Sequence, residues 1–310
     1  MNELATLIDL ECAVKPHVEP FFDPNTWTMT YVVVDPATRY CVIVDPVLDL
    51  DYPSGSVTTK AADRVIDYVK LENLQVVDIL ETHVHADHLT AAPYLKEQLG
   101  GAVTIGSAIT FVQQVFKGIF NEDDSFATDG SQFDLILDDG ANWQVGELQC
   151  HAIHVPGHTP ACLAYLIGDA LFVGDTLFMP DAGTARCDFP GGDARTLFRS
   201  IRRLLTLPGD VRVFVCHDYQ PNGRALRWES TVGEQRIENI HASESVSEDE
   251  FVAMRETRDA TLAMPTLILP SLQINMRAGN LPPADRDGRL FLKVPINAFG
   301  GDDVSRFSEI

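Results

Sequence analysis

The sequence predicts an α/β fold of layered sheets and helices, and three observations carry that expectation. Apolar runs of strand length come in clusters, and amphipathic helical segments fall between them. The third is composition: 45% apolar and 22% charged residues are the proportions of a chain that buries a core. At 310 residues the chain suits one large domain or two small ones.

Strands bounded by turn residues are expected at Thr30–Val34, Tyr40–Val44, Val76–Leu80, Ala102–Ile105, Glu147–Val155, Cys162–Ile167, Ala170–Val173 and Val211–Val215. A helix over Ala61–Leu71 puts Val65, Ile66 and Val69 on one face, and one over Ala194–Leu205 does the same with Leu197, Ile201, Leu204 and Leu205. Ser247 and Glu250 have the spacing of a capping box, in which each satisfies an orphan backbone donor of the other, so a later helix starts there. Residues 264–300 are rich in Pro and Gly and read as an extension wrapping the body. No internal repeat or flexible linker interrupts the chain. The expected division is a catalytic domain over 1–240 and a C-terminal helical and extended segment, 241–310, packed on that same domain.

Charge excludes whole classes of function. Against 23 Lys+Arg stand 45 Asp+Glu, a formal charge of −22 with a sequence pI near 4.6. Nucleic-acid binders and peripheral membrane proteins need cations against phosphate or anionic lipid, so neither partner is expected. The imbalance is uneven, because residues 186–236 carry a net charge of +3 while every other stretch is acidic. That basic stretch marks where a small anion could be received. The longest apolar runs, such as Tyr31–Val34 and Cys41–Val44, fall far short of the roughly 18 residues that span a bilayer. Residues 1–12 show no export signal, so a soluble cytoplasmic protein is expected. Six scattered cysteines (Cys12, Cys41, Cys150, Cys162, Cys187, Cys216) form no CxxC pair and read as buried thiols, although Cys187 and Cys216 lie beside the histidine and aspartate motifs.

Those motifs fall at strand ends in one order: His83-Val84-His85-Ala86-Asp87-His88, then Pro156-Gly157-His158-Thr159, Gly174-Asp175-Thr176 and Cys216-His217-Asp218-Tyr219. On a segment still extended after the Val76–Leu80 strand, His83 and His85 point the same way. Asp87 and His88, beginning the next helix, turn back toward them. Imidazole and carboxylate are ligands of zinc, manganese and iron(II). Five histidines and two aspartates so placed are poorly explained as core packing, whereas the lone His17, His151, His154 and His241 are read as ordinary structural or surface residues.

This pattern resembles the metallo-β-lactamase superfamily, whose αββα sandwich holds one or two metals at its strand ends. In two-metal members the positions of His83, His85 and His158 bind the first metal and those of Asp87, His88 and His217 the second, with Asp175 between them. Further segments narrow the resemblance: Ile43-Val44-Asp45-Pro46-Val47, Glu81-Thr82-His83, Arg186-Cys187-Asp188-Phe189, Leu207-Pro208-Gly209-Asp210 and Asn275-Met276-Arg277-Ala278-Gly279 are similar to the persulfide dioxygenases, relatives of glyoxalase II. The resemblance covers about residues 21–279.

It implies a single iron(II) per chain on His83, His158 and Asp175, which are also the catalytic residues. Two histidines and one carboxylate leave coordination positions open for a thiolate and O2. The implied partners are glutathione persulfide and O2, with sulfite and glutathione as products. His85, Asp87, His88 and His217 become outer-shell groups or, in the alternative, ligands of a second metal. That alternative is a binuclear zinc or iron hydrolase of glutathione thioesters. Substrate contacts are implied at Arg186, Thr159 and Tyr219, with Arg277 added as a weaker match. A homodimer is implied only because family members often form one. The chain departs from the family in reading Thr184-Ala185-Arg186-Cys187-Asp188-Phe189 where Cys-Gly-Arg-Thr-Asp-Phe is usual, so no regulatory role attaches to the displaced thiol. Two stretches, Asp49–Thr58 and Gln220–Ser230, are longer than in compact members. The second is expected to bring Arg224, Arg227 or Trp228 to the substrate mouth.

Overall fold

The computed structural model describes Leu4, Leu7, Ile8 and residues 14–300. Six strands form the first sheet, in the spatial order β1 (His17–Asp23), β2 (Thr28–Val34), β3 (Tyr40–Val44), β6 (Gln75–Leu80), β8 (Ala102–Gly106) and β9 (Leu135–Leu137). Six more form the second: β10 (Asn142–Val145), β11 (Leu148–His154), β12 (Leu163–Ile167), β13 (Ala170–Phe172), β14 (Arg212–Phe214) and β15 (Glu229–Thr231). A small third sheet joins β5 (Ser56–Thr58), β4 (Val47–Asp51) and β7 (Leu89–Thr90).

The alternation of side chains along β2 explains the layering. Met29, Tyr31 and Val33 point into the space between the two large sheets, where they meet Tyr165, Phe172 and Phe214 of the second sheet. Val32 and Val34 point the other way, into a core shared with α1 (Lys60–Leu71), α2 (Ala92–Leu99) and α3 (Ile109–Ile119). Both faces are covered, which is why β2 reads as an unbroken apolar run rather than an alternating one. The outer face of the second sheet, with Ile153, Val155, Leu171 and Val213, packs against α4 (Ala194–Leu204), against Val232 of α5 (Val232–Glu238) and against Phe251 of α6 (Glu248–Asp259). The result is the four-layer αββα sandwich that the sequence leads one to expect.

The C-terminal residues clothe both outer faces. α6 lies on α4, with the Phe198 and Phe251 rings 5.4 Å apart, and it starts at the Ser247/Glu250 capping box. Residues 264–300, read from the sequence as a Pro- and Gly-rich extension wrapping the body, contain α7 (Ile268–Asn275), which buries Ile268, Leu272 and, just past its end, Met276 in the first helical layer. These apolar residues repeat at i, i+4 and i+8, a period masked by Pro265 and Pro270. Pro270 is tolerated because it sits in the first turn, where backbone N–H groups have no helical acceptor. Among the described cysteines, Cys41, Cys150, Cys162, Cys187 and Cys216 are buried and free; Cys12 lies outside the described residues. No helix among the described residues is long and apolar enough to cross a membrane.

Strand direction puts the ligand-bearing ends together. β3, β6, β8 and β9 run parallel, as do β13 and β14, so β6, β13 and β14 deliver the residues after them to one end of the sandwich. β11, two antiparallel steps from β13, points the same way. Gly157 makes the turn after β11, with φ +138°, and a Cβ there would lie 2.3 Å from the Leu197 backbone. Gly157→Ala is therefore expected to destabilise the fold by about 1–3 kcal/mol, the usual range for overpacking, measured as a lower urea midpoint with an unchanged slope.

Candidate metal centre

β6 ends at Leu80, and Thr82, two residues on, anchors the chain beyond it. The amide and hydroxyl of Thr82 both donate to the Asp45 carboxylate, at 2.8 and 2.9 Å. The chain then crosses the end of the sheet as an irregular segment to β7. Asp87 and His88 do not begin a helix as expected: Leu89 and Thr90 pair with β4, and α2 starts only at Ala92. This segment is fixed by Asn275 at the end of α7, whose side chain donates to the carbonyls of His85 (2.9 Å) and His88 (2.8 Å) and accepts from the Thr90 amide (2.9 Å).

All seven sequence-derived ligand residues come together. The ligand atoms of His83, His158 and Asp175 lie within 4.8 Å of one another, as do those of His85, Asp87 and His88. Asp175 Oδ2 is 3.5 Å from His158 Nε2 and 3.9 Å from His83 Nε2. Its other oxygen is 3.3 Å from His217 Nε2, which is also 3.4 Å from Asp87 Oδ2. Six of the facing atoms (His83 Nε2, His85 Nδ1, Asp87 Oδ2, His88 Nε2, Asp175 Oδ1 and His217 Nε2) are buried without a hydrogen bond. Buried polar atoms normally find partners. Six unpaired ligand atoms converging on one volume fit divalent cations held between them.

The opposite nitrogen of each ring supports this reading. His83 Nδ1 lies 3.0 Å from Thr82 Oγ1, and His158 Nδ1 donates to the Arg186 carbonyl at 2.6 Å. Thr28 Oγ1 is 3.4 Å from Nδ1 of both His88 and His217. His85 is reversed: its Nε2 donates to Asp45 Oδ1 at 3.0 Å, leaving Nδ1 facing the cluster. Each ring thus has one nitrogen held by the protein and the other directed at the cluster, the arrangement usual for a ligating histidine. Burial pushes His83 well below the ordinary histidine range, helped by the adjacent His85. Burial works against the charge of Asp175 too, but His217, His83 and His158 outweigh it and hold that carboxyl well below its usual range. In His85 burial is overcome by Asp45 and Glu81, which raise it to about 9. Burial raises the Glu81 carboxyl to about 8, against the opposing pull of His85.

A cavity of about 980 Å³ opens onto the cluster. His158, Asp175 and Asp87 line it, whereas His83, His85, His88 and His217 do not. The longer stretch at 49–58 forms the β4–β5 hairpin and supplies one wall, including Leu50 and Tyr52. Of the expected substrate residues, Arg186 and Tyr219 line the cavity, and Tyr219 stacks on His217 with centroids 5.7 Å apart. The Arg186 fork is engaged by Asp188, at 2.6 and 2.7 Å. Thr159 does not line this cavity; its hydroxyl contacts Cys162 Sγ at 3.0 Å. Arg277 is farther removed: it pairs with Glu122 at 2.8 Å, over the Phe126 ring, beside a separate cavity.

Arg224, Arg227 and Trp228 do not line the mouth either. Asp181 and the buried Asp218 capture the Arg224 guanidinium, and Asp218 also accepts the Arg227 amide, so the 220–230 stretch turns away to form β15. Of the arginines in the net-basic stretch 186–236, Arg186 alone lines the cavity. Arg195 and Arg199 tie α4 to Glu248, Arg203 binds Asp139, and Arg212 binds Asp169. Sequence reasoning missed four side-chain supports of the centre, namely Asp45, Thr82, Thr28 and Asn275. Asp45 and Asn275 stood inside the family-like segments, but a side chain's reach across 40 or 190 positions has no local signal.

The lone histidines behave as read. His17 is near Glu19 at 3.5 Å, His154 Nε2 donates to the Pro160 carbonyl at 2.8 Å, and His241 Nδ1 accepts the Thr184 amide at 3.1 Å. Neither these three nor His151 joins a metal-type cluster among the described residues.

Residues 28–217 match the metallo-beta-lactamase superfamily. A probable metallo-hydrolase of Burkholderia pseudomallei is 54% identical over 91% of this chain and 99% of its own length. Glyoxylase B2 of Dictyostelium discoideum is 48% identical over 91% of this chain and 98% of its own. The human mitochondrial persulfide dioxygenase ETHE1 is 31% identical over 84% and 88%. Among solved structures, ETHE1 from Myxococcus xanthus aligns with a TM-score of 0.68 and 29% identity, covering 85% of this chain and all of that one.

Two outcomes are expected from this geometry. Asp45→Asn leaves every ligand in place but removes the charge that orients His85, and should weaken binding of zinc or iron(II) about 10- to 100-fold, measured by chelator competition. His241 is lowered to about 4, by burial first and then by Arg255 and Arg258. The folded state therefore refuses a proton that the unfolded chain accepts below its ordinary value near 6.5. Stability from this source is complete above that pH and declines as pH falls toward 4. His241→Gln should flatten the decline in denaturant-measured stability over that interval.

Proposed function

Because the chain belongs to the metallo-beta-lactamase superfamily, as an enzyme of that superfamily, we propose that it is a glutathione persulfide dioxygenase with one iron(II) at His83, His158 and Asp175. The observation that carries this reading is the asymmetry of the centre. The cavity reaches two of the three proposed iron ligands, His158 and Asp175, and of the second-site set only Asp87, while His85, His88 and His217 are fully buried. Substrate therefore approaches from the side of His158 and Asp175.

Iron(II) held by two histidines and a carboxylate supplies open coordination and redox chemistry toward a thiolate sulfur and O2. The overall reaction balances as glutathione persulfide plus O2 plus water giving glutathione plus sulfite and protons. This chain's residues supply placement and exclusion of water. His158 is oriented by the Arg186 carbonyl, and Asp175 is set by the turn at Gly174, with φ +51° and Thr82 packed against it. Trp27, Phe178, Phe189 and Tyr219 make an aromatic wall around the approach. A cavity of about 980 Å³ accommodates a tripeptide thiol.

A second reading has its own support. The full set of second-site ligand atoms is present and unpaired, and relatives at 48–54% identity carry the names Glyoxylase B2 and probable metallo-hydrolase. With two ions, the site would suit hydrolysis of a glutathione thioester.

Protein purified without oxygen or chelator is expected to contain about one iron per chain, and on addition of glutathione persulfide to consume one O2 per persulfide with release of sulfite. No O2 uptake by iron-loaded protein would overturn the proposal; two metals per chain with thioester hydrolysis would establish the second reading. Arg186→Ala keeps the backbone carbonyl that holds His158, so it should leave the metal content unchanged while raising the KM for the persulfide.

A further inference from the structure

The loop that holds His158 has no regular structure of its own. Residues 183–188 belong to no helix or strand, yet the Arg186 carbonyl within them orients a ligand ring at 2.6 Å. Two side chains one turn apart on α6 grip this loop on either side of Arg186. Arg255 Nη1 donates to the Thr184 carbonyl at 3.0 Å, and the Cys187 amide donates to Asp259 Oδ2 at 2.9 Å. The two gripping residues are locked to each other, with Arg255 Nε and Nη2 at 2.9 and 2.7 Å from Asp259 Oδ1. Arg255 is 1% exposed and Asp259 4%.

A buried ion pair is a poor device for stability alone, since desolvating both charges offsets their attraction and a well-packed apolar pair would serve as well. It is a good device for fixing geometry. Here both partners also bond the loop on either side of position 186, at its backbone and at the Thr184 hydroxyl and the Cys187 thiol.

We propose that the Arg255–Asp259 pair of α6 is a positioning clamp for the metal centre, acting through the 184–187 loop and the Arg186 carbonyl to fix the ring of His158. This makes the C-terminal segment part of the centre's support from the second-sheet side, as Asn275 does from the first. Neither residue is a ligand. The proposal rests on His158 being a metal ligand, as in the function proposed for the chain.

The test uses the full-length, zinc-loaded protein with 15N-labelled histidine. Asp259→Asn keeps shape and removes the charge; Arg255→Met removes the donors. Both are expected to weaken zinc binding about tenfold or more in chelator competition, and to speed solvent exchange of the His158 Nδ1 proton by a similar factor in NMR. Phe251→Ala, on the same helix and packed on Phe198, is the control: it should lower the melting temperature while leaving both readouts at the wild-type value. Variants of the pair that lose stability yet keep wild-type affinity and exchange overturn the clamp, as does a Phe251→Ala control that moves both readouts equally. If Arg255→Met does not fold, the near-isosteric Asp259→Asn decides the matter alone. His158→Ala separates the two levels of inference. Undiminished zinc in that variant defeats the ligand assignment itself, whereas loss of zinc there with none in Asp259→Asn defeats only the clamp.

Discussion

The structure depends on a local electrostatic constraint: six ligand atoms are buried around one volume without hydrogen bonds to each other or to the rest of the chain. Polar atoms left so in a dry interior are costly. Rings and carboxylates free to rotate would turn toward other partners and relieve the cost. The chain prevents this by holding the far side of the rings, through Asp45 for His85, Thr82 for His83, Thr28 for His88 and His217, and a backbone carbonyl for His158.

That requirement organises the layers outside the sheets. The HxHxDH segment leaves β6 without a helix to stiffen it, and α7 supplies the missing rigidity through one asparagine with three hydrogen bonds. On the other side, the loop before α4 is stiffened by α6. The two C-terminal helices therefore lie on opposite faces of the sandwich and converge on the same end of it. Their apolar faces account for their packing, and the polar residues at their ends reach the centre. Arginines in the basic stretch are likewise consumed by structure, since Arg195, Arg203, Arg212 and Arg224 each hold a carboxylate. An excess of positive charge in the sequence became a set of inter-element ties, because guanidinium groups gain most from fixed bidentate partners.

Much of this was legible in the chain. The strand runs, the helices at 61–71 and 194–205 and the capping box at Ser247 all depend on short-range period or spacing, and all appear. The clustered histidines and aspartates were legible for the same reason: HxHxDH, PGH and GDT are local patterns placed at expected strand ends. Arg277 shows the limit. It lay beside the residue that does reach the centre, Asn275, but a helix end separates their directions, and Glu122 claims the guanidinium. α7 was hidden by Pro265 and Pro270, the second of which occupies the one part of a helix that tolerates it.

Periodicity, turn chemistry and motif spacing act within a few residues, and they were enough to specify the layered fold, the histidines and aspartates that cluster at its end, and their family. Which atoms of those side chains face one another, and which are held from behind, emerged only once the sheets and helices were packed. So did the opening of the cavity onto His158, Asp175 and Asp87, and the turning of the arginines of 186–236 toward protein carboxylates or away from that cavity. Those outcomes depend on contacts between residues tens to hundreds of positions apart, and the energy of such contacts leaves no pattern in the local chain.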